Sequence, residues 1–280
     1  MTAAPHTPGP DEPLPHQLLS ALAQHRMATT GQLRDLLRPG AARQTLSTPP
    51  NNLRHQSLVG YTVLPRSNRT RAWYLTREGA RLTRGFPALR GRPPYPITSA
   101  TAASPKTPHT LTVLRTHLAF SKDARRQGHE HGPFDWTPEV AHNRGDGDRL
   151  IADALMHYTP TDNEHRLKLR AFVEVDRTTM SSERLAAKLI EYARLLTYEA
   201  QPAGRRKPAP AGPVWLRWYP LYPRVLFVLT GAGRRTLANR TADLRSMAEV
   251  HPAVAELARH TPLGAAVLED LEEHGPTAPP

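Results

Sequence analysis

The sequence predicts an α/β (α+β) protein of two domains. Three observations carry that prediction: an Arg-rich first third in which helical segments precede a basic hairpin, a Pro-rich break near residue 100, and a remainder in which apolar strand runs alternate with amphipathic helices. A chain of 280 residues is long enough for two cores of ordinary size.

Taken in order, residues 1–13 (MTAAPHTPGPDEP) read as a disordered tail. They lack the basic patch and apolar stretch of a secretion signal, so a cytoplasmic protein is expected. In LPHQLLSALAQHRMA (14–28), Leu14, Leu18, Leu22 and Met27 recur at near-helical spacing and predict a first helix. Thr29 or Thr30 can cap a second, GQLRDLLR, which stops at Pro39-Gly40. The third segment, 41–60, is expected to break at Pro49-Pro50 into a short helix, a turn and a further helix starting near Asn51 or Asn52. Residues 61–64 and 72–75 read as strands joined by the basic tip PRSNRTR, and TREGARLTR opens another helix. Three helices followed by a two-stranded hairpin is the winged helix-turn-helix arrangement, assigned to residues 14–89.

Charge agrees with that assignment. Residues 1–95 hold 13 Arg, no Lys and 4 acids, and the interval between Asp35 and Glu78 holds seven Arg and no acid. The excess, out of a net charge of +12, is the electrostatic footprint of a polyanion binder, and double-stranded DNA is the expected partner. Arg43, Arg54 and His55 on the helices and Arg66, Arg69 and Arg71 on the wing are the candidate DNA contacts. No run approaches 18 apolar residues, so no membrane partner is expected. The absence of Cys excludes disulfides, iron–sulfur clusters and Cys-ligated zinc.

Residues 90–108 combine five Pro with small polar residues and read as a linker. The second domain, 109–274, is expected to begin with a helix at 109–128. Strands follow around FDWTPEV, RLIADALMHY and AFVEVD, then a helix at 181–200, a buried strand in RVLFVLTGAG, a helix at 234–249 and a C-terminal helix at 263–273; residues 275–280 form a tail. Alternation along AFVEVD puts Glu174 and Asp176 on one face. Side by side they repel, so the pattern calls for a divalent metal or a basic neighbour. Asp153 on the preceding strand would complete an oxygen-rich site for Mg²⁺ or Mn²⁺, and Lys188 is presented by the following helix, whose Leu185, Leu189, Tyr192 and Leu196 face inward.

Asp153-Ala154, Glu174-Val175-Asp176-Arg177 with Thr179, Lys188 and Tyr192 on the next helix, and Trp136 and Glu139 upstream together resemble the plasmid replication-relaxation family. The core order resembles restriction-endonuclease-like (PD-(D/E)XK-type) nucleases. Two departures stand out: Asp176 replaces the usual Lys two residues after the Glu, and Thr178 stands where Gly is expected. The resemblance implies a DNA-binding protein for plasmid or mobile-element replication or relaxation. It would be either a Mg-dependent nicking endonuclease using Asp153, Glu174, Asp176 and Lys188, or a catalytically silent winged-helix replication or transcription regulator. A homodimer and replication or transfer proteins are the implied protein partners.

Other chemistries fit less well. His129-Glu130-His131 lacks the apolar centre of a relaxase His pair, no HExxH spacing occurs, and GAGRR is a strand-to-helix turn without the phosphate-loop pattern. Trp215, Trp218 and Tyr219 are able to stack bases, although aromatics beside a strand more often fill a core.

Overall fold

The computed structural model describes residues 12–65, 67–89, 96–99, 106–145, 147–161, 166–199 and 212–276, with Arg43 and Ala88 described by backbone alone. Both expected tails, most of the 90–108 linker and Arg66 of the expected wing therefore lie largely or wholly outside the described residues. The fold is mixed α/β, with a three-stranded antiparallel sheet and a five-stranded mixed sheet. None of the described helices is long and apolar enough to cross a membrane. The chain divides into two compact units, residues 1–138 with 158–166 and residues 139–157 with 167–280.

In the first unit, α1 (Leu14–His25) buries Leu18, Leu19 and Leu22. α2 (Thr30–Leu37) begins at a capping box: the Gln32 amide donates to Thr29 Oγ1 (3.1 Å) and the Thr29 amide to Gln32 Oε1 (3.0 Å). After a 3-10 turn at Arg43–Leu46, α3 runs from Thr48 to His55. The expected short helix, turn and further helix are present, but α3 begins at Thr48, before Pro49-Pro50, instead of near Asn51 or Asn52. Both prolines occupy the first turn of α3, where the missing N–H groups would have had no helical partner in any case. β2 (Val59–Val63) and β3 (Arg71–Leu75) form the antiparallel hairpin, with Tyr61 opposite Trp73. A short strand that periodicity does not reveal, β1 (Met27–Thr29), pairs with the other edge of β3, Ala28 opposite Trp73. Leu18, Leu22, Leu33, Leu36, Leu46, Leu53, Trp73 and Leu75 form the core, and the Trp73 indole donates to Thr30 Oγ1 (2.9 Å).

α4 (Arg77–Thr83) follows, capped by Thr76. α5 (Thr107–Gln127), the helix that the sequence placed after the linker, packs in this first unit: Leu114 joins the core, and the Gln32 side-chain amide donates to Leu111 O (2.8 Å). Within the linker interval, the Ile97 amide donates to Leu75 O (3.1 Å).

The second sheet has the order β4 (Trp136–Asn143), β5 (Arg149–Tyr158), β6 (Leu169–Asp176), β7 (Arg224–Leu229), β8 (Leu263–Val267). β6 and β7 are parallel, with Glu174 opposite Phe227, and β7 and β8 are parallel, with Leu229 opposite Val267. The expected helix at 263–273 is corrected here: Leu263–Val267 is an edge strand, because pairing satisfies the open side of β7, and only Leu268–His274 is helical (α9). α6 (Ser182–Thr197), α7 (Arg234–Val250) and α8 (Pro252–His260) bury Leu185, Leu189, Tyr192, Leu237, Leu244, Val254 and Leu257 with Phe172 and Phe227 of the sheet.

One glycine shows how tightly the first unit is packed. A Cβ on Gly79 in α4 would sit 2.0 Å from Leu58 O. Ala is the better helix former by up to about 1 kcal/mol, yet here the clash is with backbone and dominates. Gly79→Ala is therefore expected to destabilise the protein by roughly 1–3 kcal/mol in denaturant unfolding, the opposite sign to helix propensity.

Candidate functional site

β6 builds the site. Its even-numbered residues Phe172, Glu174 and Asp176 share a face by strand alternation, and the cationic partners of Glu174 and Asp176 come from the helices after it. Glu174 is 2% exposed, and its Oε1 accepts a hydrogen bond from the Tyr192 hydroxyl at 2.5 Å. Lys188 lies one turn before Tyr192 on α6, so both reach the same strand residue. Lys188 Nζ is 3.4 Å from Glu174 Oε1, 3.7 Å from Glu191 Oε2, and donates to Ile151 O at 2.7 Å. Its firmest bond is thus to the backbone of β5. Asp153, half-buried on β5, accepts from the Val175 amide through Oδ2 at 2.8 Å.

These contacts set the proton affinity of Glu174. Burial, followed by the nearby Asp153 charge, pushes its carboxyl up to about 8, against the opposing pull of Lys188 and Tyr192. On balance these contacts favour the protonated form of Glu174 near neutral pH. Burial and the Glu174 carboxyl also hold the Tyr192 hydroxyl well above the usual phenol range.

Asp176 belongs to a different set of partners. Its Oδ2 receives Arg240 from α7 at 2.7 Å, and its Oδ1 receives the amides of Thr179 (3.1 Å) and Met180 (3.3 Å). Arg240 also donates to Met180 O (2.5 Å), fastening the turn that leads into α6. In that turn Thr178 has φ 59°, the left-handed region that favours glycine, and its hydroxyl donates to Thr230 O at 2.6 Å. The Gly expected at this position from family resemblance thus answers a real backbone requirement, met here by a β-branched residue with a compensating hydrogen bond.

The four residues singled out as a catalytic set accordingly separate into two groups. Asp153, Glu174 and Lys188 converge, whereas Asp176 is engaged by Arg240 and the turn amides. Among the described residues, no group of three or more His, Asp or Glu side chains is arranged to hold a metal ion. Glu174 is engaged by Tyr192 and Lys188, and Asp176 by Arg240. Sequence reasoning left open whether a metal or a basic neighbour offsets the paired acids, and the structure supplies basic neighbours. Arg240 was missed, because 64 residues separate it from Asp176 and nothing local marks it.

The basic face of the first unit is organised around α3 and the hairpin. Arg71 of β3 donates to Asn51 Oδ1 of α3 at 2.9 Å and stacks over Tyr61 at 4.4 Å, with Arg54 over the same ring at 5.4 Å. Arg54, His55 and Arg69 are exposed, and Arg69 has φ 59° at the hairpin tip. Arg43 lies in the 3-10 turn before α3, its side chain outside the described residues, as is all of Arg66.

Residues 19–208 match the replication-relaxation family model. No curated protein and no solved structure matches the chain.

Two outcomes follow from the β6 acids. An unfolded Glu releases its proton near 4.5, while folded Glu174 keeps it to about 8. Its stabilising contribution is complete below pH 4.5 and is lost as pH rises through about 8. Thermal melts between pH 5 and 8 are expected to show wild type losing more stability than Glu174→Gln. Arg240→Ala leaves Asp176 buried without its cation and is expected to cost about 3–5 kcal/mol in urea unfolding.

Proposed function

Because the chain belongs to the replication-relaxation family, we propose that it binds duplex DNA of a plasmid or mobile element through its first unit and acts in replication or relaxation of that DNA. The observation that carries this reading is the basic surface formed by α3 and the β2–β3 hairpin. Arg54 and His55 are exposed on the helix, Arg69 is exposed at the hairpin tip, and Arg71 ties the two elements together through Asn51 and Tyr61. In a winged helix-turn-helix, α3 would enter the major groove and the β2–β3 wing would follow the phosphates. Guanidinium groups suit that role because they stay charged and bond phosphate oxygens in pairs.

In the second unit, the reading best matched to the geometry is that the acids of β6 are structural. Glu174 is enclosed and its protonated form favoured, Asp176 is ion-paired, and the endonuclease-like order of strands and helix then serves to grip DNA or a partner without hydrolysing it. The alternative is a nicking endonuclease. It is favoured by the convergence of Asp153, Glu174 and the partly exposed Lys188, the residue types such a centre requires. Incubation of supercoiled plasmid with Mg²⁺ or Mn²⁺ separates the two readings. Open circles that vanish in both Glu174→Gln and Lys188→Ala would establish the enzyme, and intact plasmid bound in a gel shift supports the regulator.

Duplex binding by the full chain is expected to be strongly salt-dependent. With about five Arg–phosphate contacts, log K falls with log salt at a slope of roughly −4 to −5. Arg54→Ala combined with Arg69→Ala is expected to reduce the magnitude of that slope by about 2 in anisotropy titrations, with similar loss on unrelated sequences.

A further inference from the structure

We propose that the surface around Trp218 in the second unit stacks an unpaired base, so that this unit engages a single strand of DNA. The inference rests on the reading that the protein works on DNA, but it uses residues remote in sequence from the basic hairpin.

Three aromatic residues lie within five positions, and the structure gives each a different fate. The Trp215 indole donates to Leu196 O (2.9 Å) and meets Tyr222 edge-on at 5.3 Å, so it belongs to the core. Tyr219 is buried, with its hydroxyl 2.7 Å from His142 Nε2 and its ring edge-on to Phe172 at 5.6 Å. Trp218 is 46% exposed, held by a T-shaped contact with His142 at 5.2 Å. Its neighbours Leu216 and Leu221 are also exposed. A large indole kept at the surface by a buried support is a stacking platform in the physical sense: its position is fixed and it loses little freedom when a flat ligand covers it.

Charge narrows the class of ligand. Residues 167–173 and 212–229 contain Lys168, Arg170, Arg217 and Arg224 and no acid. Arg170 stands close enough to Tyr219 for its charge to act on the phenol, and Arg224 pairs opposite Ala171, the residue next to Arg170 on β6. Lys168 and Arg217 are exposed. An exposed indole with Arg217 beside it in sequence and Arg170 acting on the neighbouring Tyr219 suits a ligand that is itself a flat ring on a polyanion. A base within a duplex has both faces covered by its neighbours, so it offers the ring only when unpaired and unstacked. Arg170 also lies on the same face of β6 as Phe172 and Glu174.

The test is fluorescence anisotropy of the full-length protein with three labelled probes: dT20, a 20-base-pair duplex, and an abasic 20-mer carrying the same phosphates. The proposal expects Trp218→Ala to weaken dT20 binding about 5- to 100-fold. It expects Trp218→Phe to retain most of the affinity, and abasic and duplex binding to change less than about two-fold in both variants. Circular dichroism of both variants guards against misfolding, and Trp218→Phe keeps an aromatic platform if the Ala variant does not fold. Unchanged dT20 affinity in Trp218→Ala, or an equal loss on the abasic probe, overturns the proposal. Loss of self-association in Trp218→Ala with dT20 affinity intact also overturns it, assigning the face to a second copy. If wild type fails to bind duplex yet holds dT20 through Trp218, the winged-helix reading fails and this one stands; duplex binding without Trp218-dependent dT20 binding gives the reverse.

Discussion

Two acids buried two residues apart on β6 are the constraint around which the second unit is arranged. Leaving a carboxylate unpaired in a protein interior costs several kcal/mol, so each must be neutralised or bonded from outside the strand. Glu174 takes the proton and the Tyr192 hydroxyl, with Lys188 alongside, and this fixes α6 against the sheet. Asp176 takes Arg240 and two turn amides, and this fixes both the β6–α6 connection and α7. The partners lie on successive helices, so the acids also set the register in which those helices cover the sheet. Arg240 serves twice, since its second bond to Met180 O fastens the turn that delivers Lys188 and Tyr192.

Much of this arrangement was legible in the sequence. Period-two alternation puts Glu174 and Asp176 on one face, and the four-residue spacing of Lys188 and Tyr192 aligns them along one side of a helix. The demand for a neutralising partner follows from the acids alone. Its identity does not, because Arg240 is brought to Asp176 by tertiary packing across 64 residues of chain. The short strands were hidden for another reason. MAT and LGAAV are too brief and too small in side chain to show alternation, and both are strands only because an edge of β3 or β7 needs partners. At Pro49-Pro50 only the boundary differs: proline breaks a helix interior but suits a first turn, so α3 starts at Thr48 and includes both.

The aromatic run at 215–219 carries the same lesson about position. Composition leaves Trp215, Trp218 and Tyr219 equivalent, and only the 3-10 turn at Val214–Arg217 decides which rings turn inward. In the first unit, Arg71 and Arg54 stack on Tyr61, so part of the Arg excess stiffens the hairpin while exposed Arg54 and Arg69 keep their charges toward solvent. That division of labour among like residues could not be read from charge counting.

The central claim is that the β6 acids are satisfied by the protein itself. The direct measurement is a ¹³C NMR titration of Glu side-chain carboxyls, with Glu174 assigned by its loss in Glu174→Gln, recorded with and without Mg²⁺. The account predicts a midpoint near 8 that Mg²⁺ leaves in place. A midpoint that Mg²⁺ drives down by more than a unit would contradict it and return Glu174 to the role of a metal ligand.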